Sequence, residues 1–213
     1  TADNYAITFV EGKLTVGKLT AALAWNDYAE RTYDGKASNV TASVTNKIGN
    51  DDVTVTVTGG DAVNAGTYTA AATGLAGAKA GNYQLPEEGL TQSYTINRAA
   101  LTIASVAVEG KTYDGTTDAK VTSVTFNGLV EGETLAKSGI QNGTYVAGDY
   151  GIPKANFNSA NVNEANKITG EVGFIKNDLN YTFKNADGTE TNNASFEVAC
   201  TITPANSWSL TPV

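Results

Sequence analysis

The chain has 213 residues and a formal net charge of −8, from 14 Lys and Arg against 22 Asp and Glu. That acidic balance disfavours nucleic acid and anionic membrane surfaces as partners, since both need clustered basic side chains, and no apolar run approaches the roughly 20 residues of a membrane helix. With no His and a single Cys, Cys200, the chain has no Ser-His-Asp or Cys-His catalysis, no usual zinc site and no intrachain disulfide.

Hydrophobic residues make up 41% and charged residues 17%, enough to bury a core. The abundance of Thr and Val favours strands, and Gly and Asn supply the turns between them. In chain order, residues 13–18 read as an alternating strand that closes a unit. Residues 19–28 and 70–80 alone are helix-permissive; Gly74 and Gly77 weaken the second, and the first matches a strand elsewhere, so it reads as extended. Residues 52–58 alternate Val and Thr and end at Gly59-Gly60, the pattern of a half-buried strand. Residues 94–99, 101–108, 120–126 and 200–205 are further strands. Asp187-Gly188 signals a hairpin between Tyr181-Thr182-Phe183 and Ser195-Phe196-Glu197-Val198.

The chain also repeats itself. Arg31-Thr32-Tyr33-Asp34-Gly35-Lys36 recurs 80 positions later as Lys111-Thr112-Tyr113-Asp114-Gly115-Thr116. Asn-Tyr occurs as Asn4-Tyr5, Asn82-Tyr83 and Asn180-Tyr181, each followed by a closing strand, and Val63-Asn64-Ala65 matches Val162-Asn163-Glu164-Ala165. This order implies tandem modules. Residues 1–17 read as the end of a preceding repeat, 18–98 as a first module, 99–205 as a second, and 206–213 as the start of another. The absence of Met adds the expectation that the segment was cut from a longer array. Asn97-Arg98-Ala99-Ala100 leaves no flexible linker, which predicts a stiff junction.

The run Lys111-Thr112-Tyr113-Asp114-Gly115-Thr116-Thr117-Asp118-Ala119, with Asn127-Gly128-Leu129 and Asn180-Tyr181-Thr182-Phe183, resembles a YDG repeat domain. The first module, with Tyr33-Asp34-Gly35 and Ala80-Gly81-Asn82-Tyr83, resembles the same family or the related MBG type. The second module departs from the pattern at Asp178-Leu179-Asn180-Tyr181 and in a longer middle, residues 140–158. The resemblance implies an extracellular module of a bacterial cell-surface or secreted, adhesin-like protein, with no catalytic residue and no cofactor.

The motif residues suit structural corners: Gly35 and Gly115 for positive φ, Asp34 and Asp114 for bonding the backbone nearby, and tyrosines packed at the core edge. Oxygen-rich turns at Asn50-Asp51-Asp52 and Asp114…Asp118 admit a calcium reading, but they match ordinary Asx turns and no EF-hand loop. Glu131-Gly132-Glu133 and Glu87-Glu88 read as solvated loop charges rather than a catalytic pair. Trp25, Trp208, Tyr145 and Tyr150 are the aromatics available to stack on sugars, the tryptophans doubling as junction fillers. Tyr145 and Tyr150 lie between Gly143, Gly148 and Gly151, so a ligand site is sought there first. Cys200 reads as a small core residue, and no motif marks a Lys–Asn crosslink.

The expected fold is all-β: two tandem antiparallel β-sandwich (Ig-like) modules, with a β-grasp-like arrangement as the alternative. The expected function is a non-enzymatic stalk or spacer whose partners are neighbouring repeats of the same chain. The alternative is direct binding of a glycan or a host or extracellular-matrix protein through residues 140–158. No metal site, nucleic-acid partner or membrane insertion is expected.

Overall fold

The computed structural model describes residues 4, 8–26, 30–141, 144–152, 154–176 and 180–205, the side chains of 140 and 141 apart. Among these residues the chain is nearly all β, with one 3-10 turn at Ala80–Asn82 and no α-helix. Residue 28, Tyr5, Trp208 and the whole of 206–213 lie outside the described residues.

The chain divides into two compact units. The first gathers the described residues of Thr1–Tyr28, Ser38–Ala62 and Tyr68–Tyr94; the second gathers Ala29–Ala37, Val63–Thr67 and Thr95–Val213.

In the first unit, Thr54–Thr58 pairs antiparallel with the long strand Gly66–Ala76, Thr54 opposite Ala76 and Thr58 opposite Ala71. As the alternation predicts, Val55 and Val57 are half-buried and the threonines exposed. The helix-permissive stretch 70–80 is strand up to Ala76, because its alanines pack inward from a sheet; Ala70 is fully buried. Leu23–Trp25 pairs antiparallel with Ala42–Val44, and Leu19–Thr20 pairs parallel with Tyr83–Gln84. The core holds Ala21, Val44, Val53 and Tyr83, with Leu23, Val55 and Leu75 packed on it.

In the second unit, Lys167–Phe174 is the central strand. It pairs antiparallel with Ala155–Phe157 and Tyr150–Gly151 on one side and with Asn193–Ala199 on the other. Ile168 and Val172 on this strand are fully buried. Thr102–Val108 pairs antiparallel with Val121–Asn127 through two irregularities in register. An aromatic cluster fills the core: Phe174 stacks on Phe183 at 4.4 Å, and Phe126 meets both of these and Tyr150.

Three expectations need correction. The pairing is not purely antiparallel. Among the described residues four strand pairs are parallel: Leu19–Thr20 with Tyr83–Gln84, Glu30–Thr32 with Thr95–Asn97, Ala99–Ala100 with Tyr181–Thr182, and Lys111–Thr112 with Ile202–Thr203. Each joins segments far apart in sequence, which gives the chain room for the crossover a parallel pair needs. Next, residues 13–18 form no strand; Phe9, Val10, Leu14 and Val16 are 87–90% exposed, so their alternating pattern finds no sheet here. Lastly, Tyr181–Lys184 turns at Asp187-Gly188 as expected but pairs with Glu190–Thr191, while Asn193–Ala199 joins Lys167–Phe174. The two-residue return strand is too short to hold the rest, and the longer partner captures it.

The parallel registers repeat. Leu19 faces Tyr83 and Ala99 faces Tyr181; Arg31 faces Ile96 and Lys111 faces Ile202. The earlier member of each pair recurs 80 positions on, the spacing of the sequence repeat.

Candidate functional site

The base-Thr-Tyr-Asp-Gly motif forms the same turn twice. In the first copy Arg31 pairs with Asp34 and donates to the carbonyls of Lys36 and Ala37 at 3.0 and 3.2 Å. In the second, Lys111 pairs with Asp114 at 2.9 Å and donates to the carbonyls of Thr116 and Asp118. Both basic side chains are largely buried, 15% and 13% exposed, so each staples its loop from beneath. Asp34 and Asp114 accept the N–H two residues on, from Lys36 and Thr116. Gly35 and Gly115 sit at φ 75° and 80°, where a side chain is strained. The Lys111 hydrogen bond, reinforced by the Thr116 N–H, holds the Asp114 carboxyl below its ordinary range.

The Asn-Tyr tyrosines share a second device. Tyr83 accepts the Ile48 N–H at 2.9 Å and donates to Asp51 at 2.8 Å. Tyr181 accepts the Val130 N–H at 2.9 Å and donates to Glu133 at 2.5 Å. In each case the two partners are the first and fourth residues of a turn closed by its own backbone bond, Asp51 N to Ile48 O and Glu133 N to Val130 O. The phenol thus ties a turn shut at both ends, and the carboxylate's charge strengthens the bond. The turns differ in detail: the positive-φ glycine is Gly49, second in one, and Gly132, third in the other.

The two devices meet inside the second unit. Tyr33, 6% exposed, lies edge-on to Tyr181 at 5.5 Å and 87°, and its hydroxyl also donates to Glu133. One carboxylate therefore takes two phenols, one on each oxygen. Val130 packs on the turn, its Cγ1 3.0 Å from where a Cβ on Gly35 would stand. Asn180 accepts the Ala65 N–H at 2.8 Å and its amide donates to Asn64 at 3.1 Å. Burial, and then the bond to Glu133, pushes both Tyr33 and Tyr181 above the ordinary tyrosine value of 10.0. Glu133 is thus not a solvated loop charge: it is half-buried and central. A signal for it was present, since a carboxylate follows an apolar residue by three at both Ile48…Asp51 and Val130…Glu133. Tyr113, by contrast, is 45% exposed, and nothing lies within 4 Å of a Cβ on Gly115.

The two aromatics singled out for ligand binding part company. Tyr150 is 3% exposed, donates to the Val124 carbonyl and packs on Phe126, so it belongs to the core, where burial raises its pKa. Tyr145 is 63% exposed on the hairpin Gly139–Gln141/Thr144–Val146. It lines a groove of about 350 Å³ together with Ser138, Ile152, Phe174, Ile175 and Asn193. Ile175 and Val146 are 48% and 40% exposed, giving this corner an apolar surface.

The oxygen-rich turns are engaged internally. Asp51 takes the Tyr83 phenol, Asp52 takes the Ala78 N–H at 3.0 Å, and Asp114 takes Lys111. Among the described residues, no group of three or more His, Cys, Asp or Glu is placed to hold a metal ion. Trp25 donates from its indole to the Gly89 carbonyl at 3.1 Å, and Cys200 is a half-buried free thiol. A broader, more polar groove of about 650 Å³ lies over Asn156, Thr169, Glu171 and Glu197 on the central sheet. No family model, curated protein or solved structure matches the chain.

Proposed function

We propose that the chain is a non-catalytic structural repeat of the YDG/MBG type, serving as a stalk or spacer in a bacterial cell-surface, adhesin-like protein. On this reading it comprises two tandem Ig-like modules, 18–98 and 99–205, exposed outside the cell. The observation that carries it is the use of the motif residues. In both copies the Asp of Tyr-Asp-Gly and the Tyr of Asn-Tyr are engaged in internal bonds that close turns, the use expected of scaffold residues. The test is a glycan and extracellular-matrix binding panel with the whole chain. The stalk reading expects no reproducible binding, and a saturable ligand would overturn it.

One observation favours a second reading, direct recognition of a glycan or host protein. Exposed Tyr145, Val146 and Ile175 cluster at a groove, and exposed aromatic and apolar surface of this kind is common at binding sites. Here a saturable ligand would be found and Tyr145→Ala would abolish its binding without lowering the melting temperature. A deletion of 140–158 is unsuitable, because it removes the strands Tyr150–Gly151 and Ala155–Phe157 from the core sheet.

A further inference from the structure

Each repeat carries the same two half-surfaces. One is the Tyr-Asp-Gly turn, at Tyr33 and at Tyr113, together with the Asn that recurs in each repeat, Asn64 and Asn163. The other is Asn-Tyr with its carboxylate turn: Asn180-Tyr181 with Val130 and Glu133, and Asn82-Tyr83 with Ile48 and Asp51. In the second unit, the Tyr33 half is mated to the Asn180-Tyr181 half through a phenol on Glu133, Val130 against Gly35, and the Asn64–Asn180 amide pair.

The other two halves stand open. Tyr113 is 45% exposed, the space around Gly115 is empty to 4 Å, and Asn163 is exposed. Opposite in kind, Ile48 is 66% exposed, Asn82 is exposed, and Asp51 uses only Oδ2 in hydrogen bonds among the described residues, leaving Oδ1 available. Tyr83 is as buried as Tyr181, at 3%, so what an incoming tyrosine reaches is the turn: an apolar first residue and a carboxylate three positions on.

We propose that these open halves mate between molecules: Tyr113 of one copy docks on the Ile48–Asp51 turn of a second copy, its phenol donating to Asp51 and Ile48 covering Gly115. The partner is a second copy because the half that fits Tyr113 is one this chain itself displays, and its bonding scheme is already made once within the second unit. Each copy offers one of each surface, so copies join either reciprocally, closing a dimer, or in succession, growing a chain. Association is expected to be weak, because the internal pairing gains an effective concentration that free copies lack. Salt strengthens it by screening the −8 charge each copy carries. The inference rests on the equivalence of the two repeats, not on the stalk reading, and a glycan ligand would leave it untouched.

Sedimentation velocity of the whole chain at rising concentration, to about 1 mM in high salt, tests it. The wild type is expected to form dimers or longer species whose share grows with concentration. Tyr113→Ala and Ile48→Asp change exposed side chains, and unchanged melts verify that both variants fold. Each alone is expected to associate about tenfold or more weakly. Mixed in equal amounts, they regain one good contact, the Ile48 turn of one with the Tyr113 of the other, and form a 1:1 heterodimer that grows no further. A wild type that stays monomeric throughout overturns the proposal. So do variants that associate as the wild type does, or a mixture that fails to pair, which marks a symmetric interface elsewhere.

Discussion

Glu133 concentrates much of the local chemistry of the second unit in one side chain. Two phenols, from Tyr33 and Tyr181, donate to its two oxygens. Glu133→Gln keeps the shape but replaces a charged acceptor with a neutral one and turns one amide hydrogen atom toward a donor. We expect a loss of about 2 kcal/mol in urea unfolding, the scale of hydrogen bonds to a charged group. Both tyrosines titrate above 10.0 in the folded chain, burial being the larger cause and Glu133 the next. Their contribution is therefore fully present below pH 10. Above it the unfolded chain releases these protons first, so stability falls as pH rises toward the folded values. Absorbance of phenolate on titration should find Tyr33, Tyr83, Tyr150 and Tyr181 ionising late in the wild type, and the midpoints of Tyr33 and Tyr181 should fall part of the way back in Glu133→Gln. If Tyr33 and Tyr181 ionise with the remaining tyrosines in the wild type, the shared-carboxylate arrangement is wrong.

At the scale of the element, the two Tyr-Asp-Gly turns form a natural control. Gly35 and Gly115 have nearly equal φ, so alanine at either meets the same backbone penalty of about 1–2 kcal/mol. Only Gly35 has Val130 against it. Gly35→Ala should therefore cost more than Gly115→Ala, by about 1 kcal/mol for the added crowding, in matched chemical melts. Equal losses would remove Val130 from the account. The turns themselves were legible in sequence, because Asp two residues before an amide and Gly at positive φ act within a few positions. The Val-Thr alternation of Thr54–Thr58 was legible for the same reason. The tyrosine–carboxylate bonds were not, since Glu133 meets Tyr181 across 48 positions and Tyr33 across 100, distances at which periodicity carries no signal. Tyr150 misled because Gly148 and Gly151 beside it suggest an exposed loop. A Cβ on Gly148 would instead come within 2.3 Å of the Ala136 carbonyl, so that glycine marks close packing.

At the scale of the whole molecule, internal repetition was the most informative feature of the sequence, and the parallel registers carry it into the backbone. The strand expected at residues 13–18 was not found, because alternation prescribes a face to bury and not the partner that buries it. That segment carries exposed apolar side chains and no strand pairing. Trypsin should accordingly cut after Lys13 and Lys18 well before any other site. The product should melt within about 2 °C of the intact chain, since the first paired residue among those described is Leu19. A markedly lower midpoint would mean that residues 8–18 contribute to the core.

The parallel pairs have a mechanical consequence. Suppose tension is applied through Ala99 and Thr203. It enters by Ala99–Ala100, held by Tyr181–Thr182, and leaves by Ile202–Thr203, held by Lys111–Thr112. In a parallel pair the start of the earlier strand and the end of the later one lie at opposite ends, so tension slides the strands past each other and loads every cross-strand bond at once. An antiparallel hairpin presents both at the same end and peels open one bond at a time. The same few hydrogen bonds, arranged in parallel, therefore resist in shear and give way together.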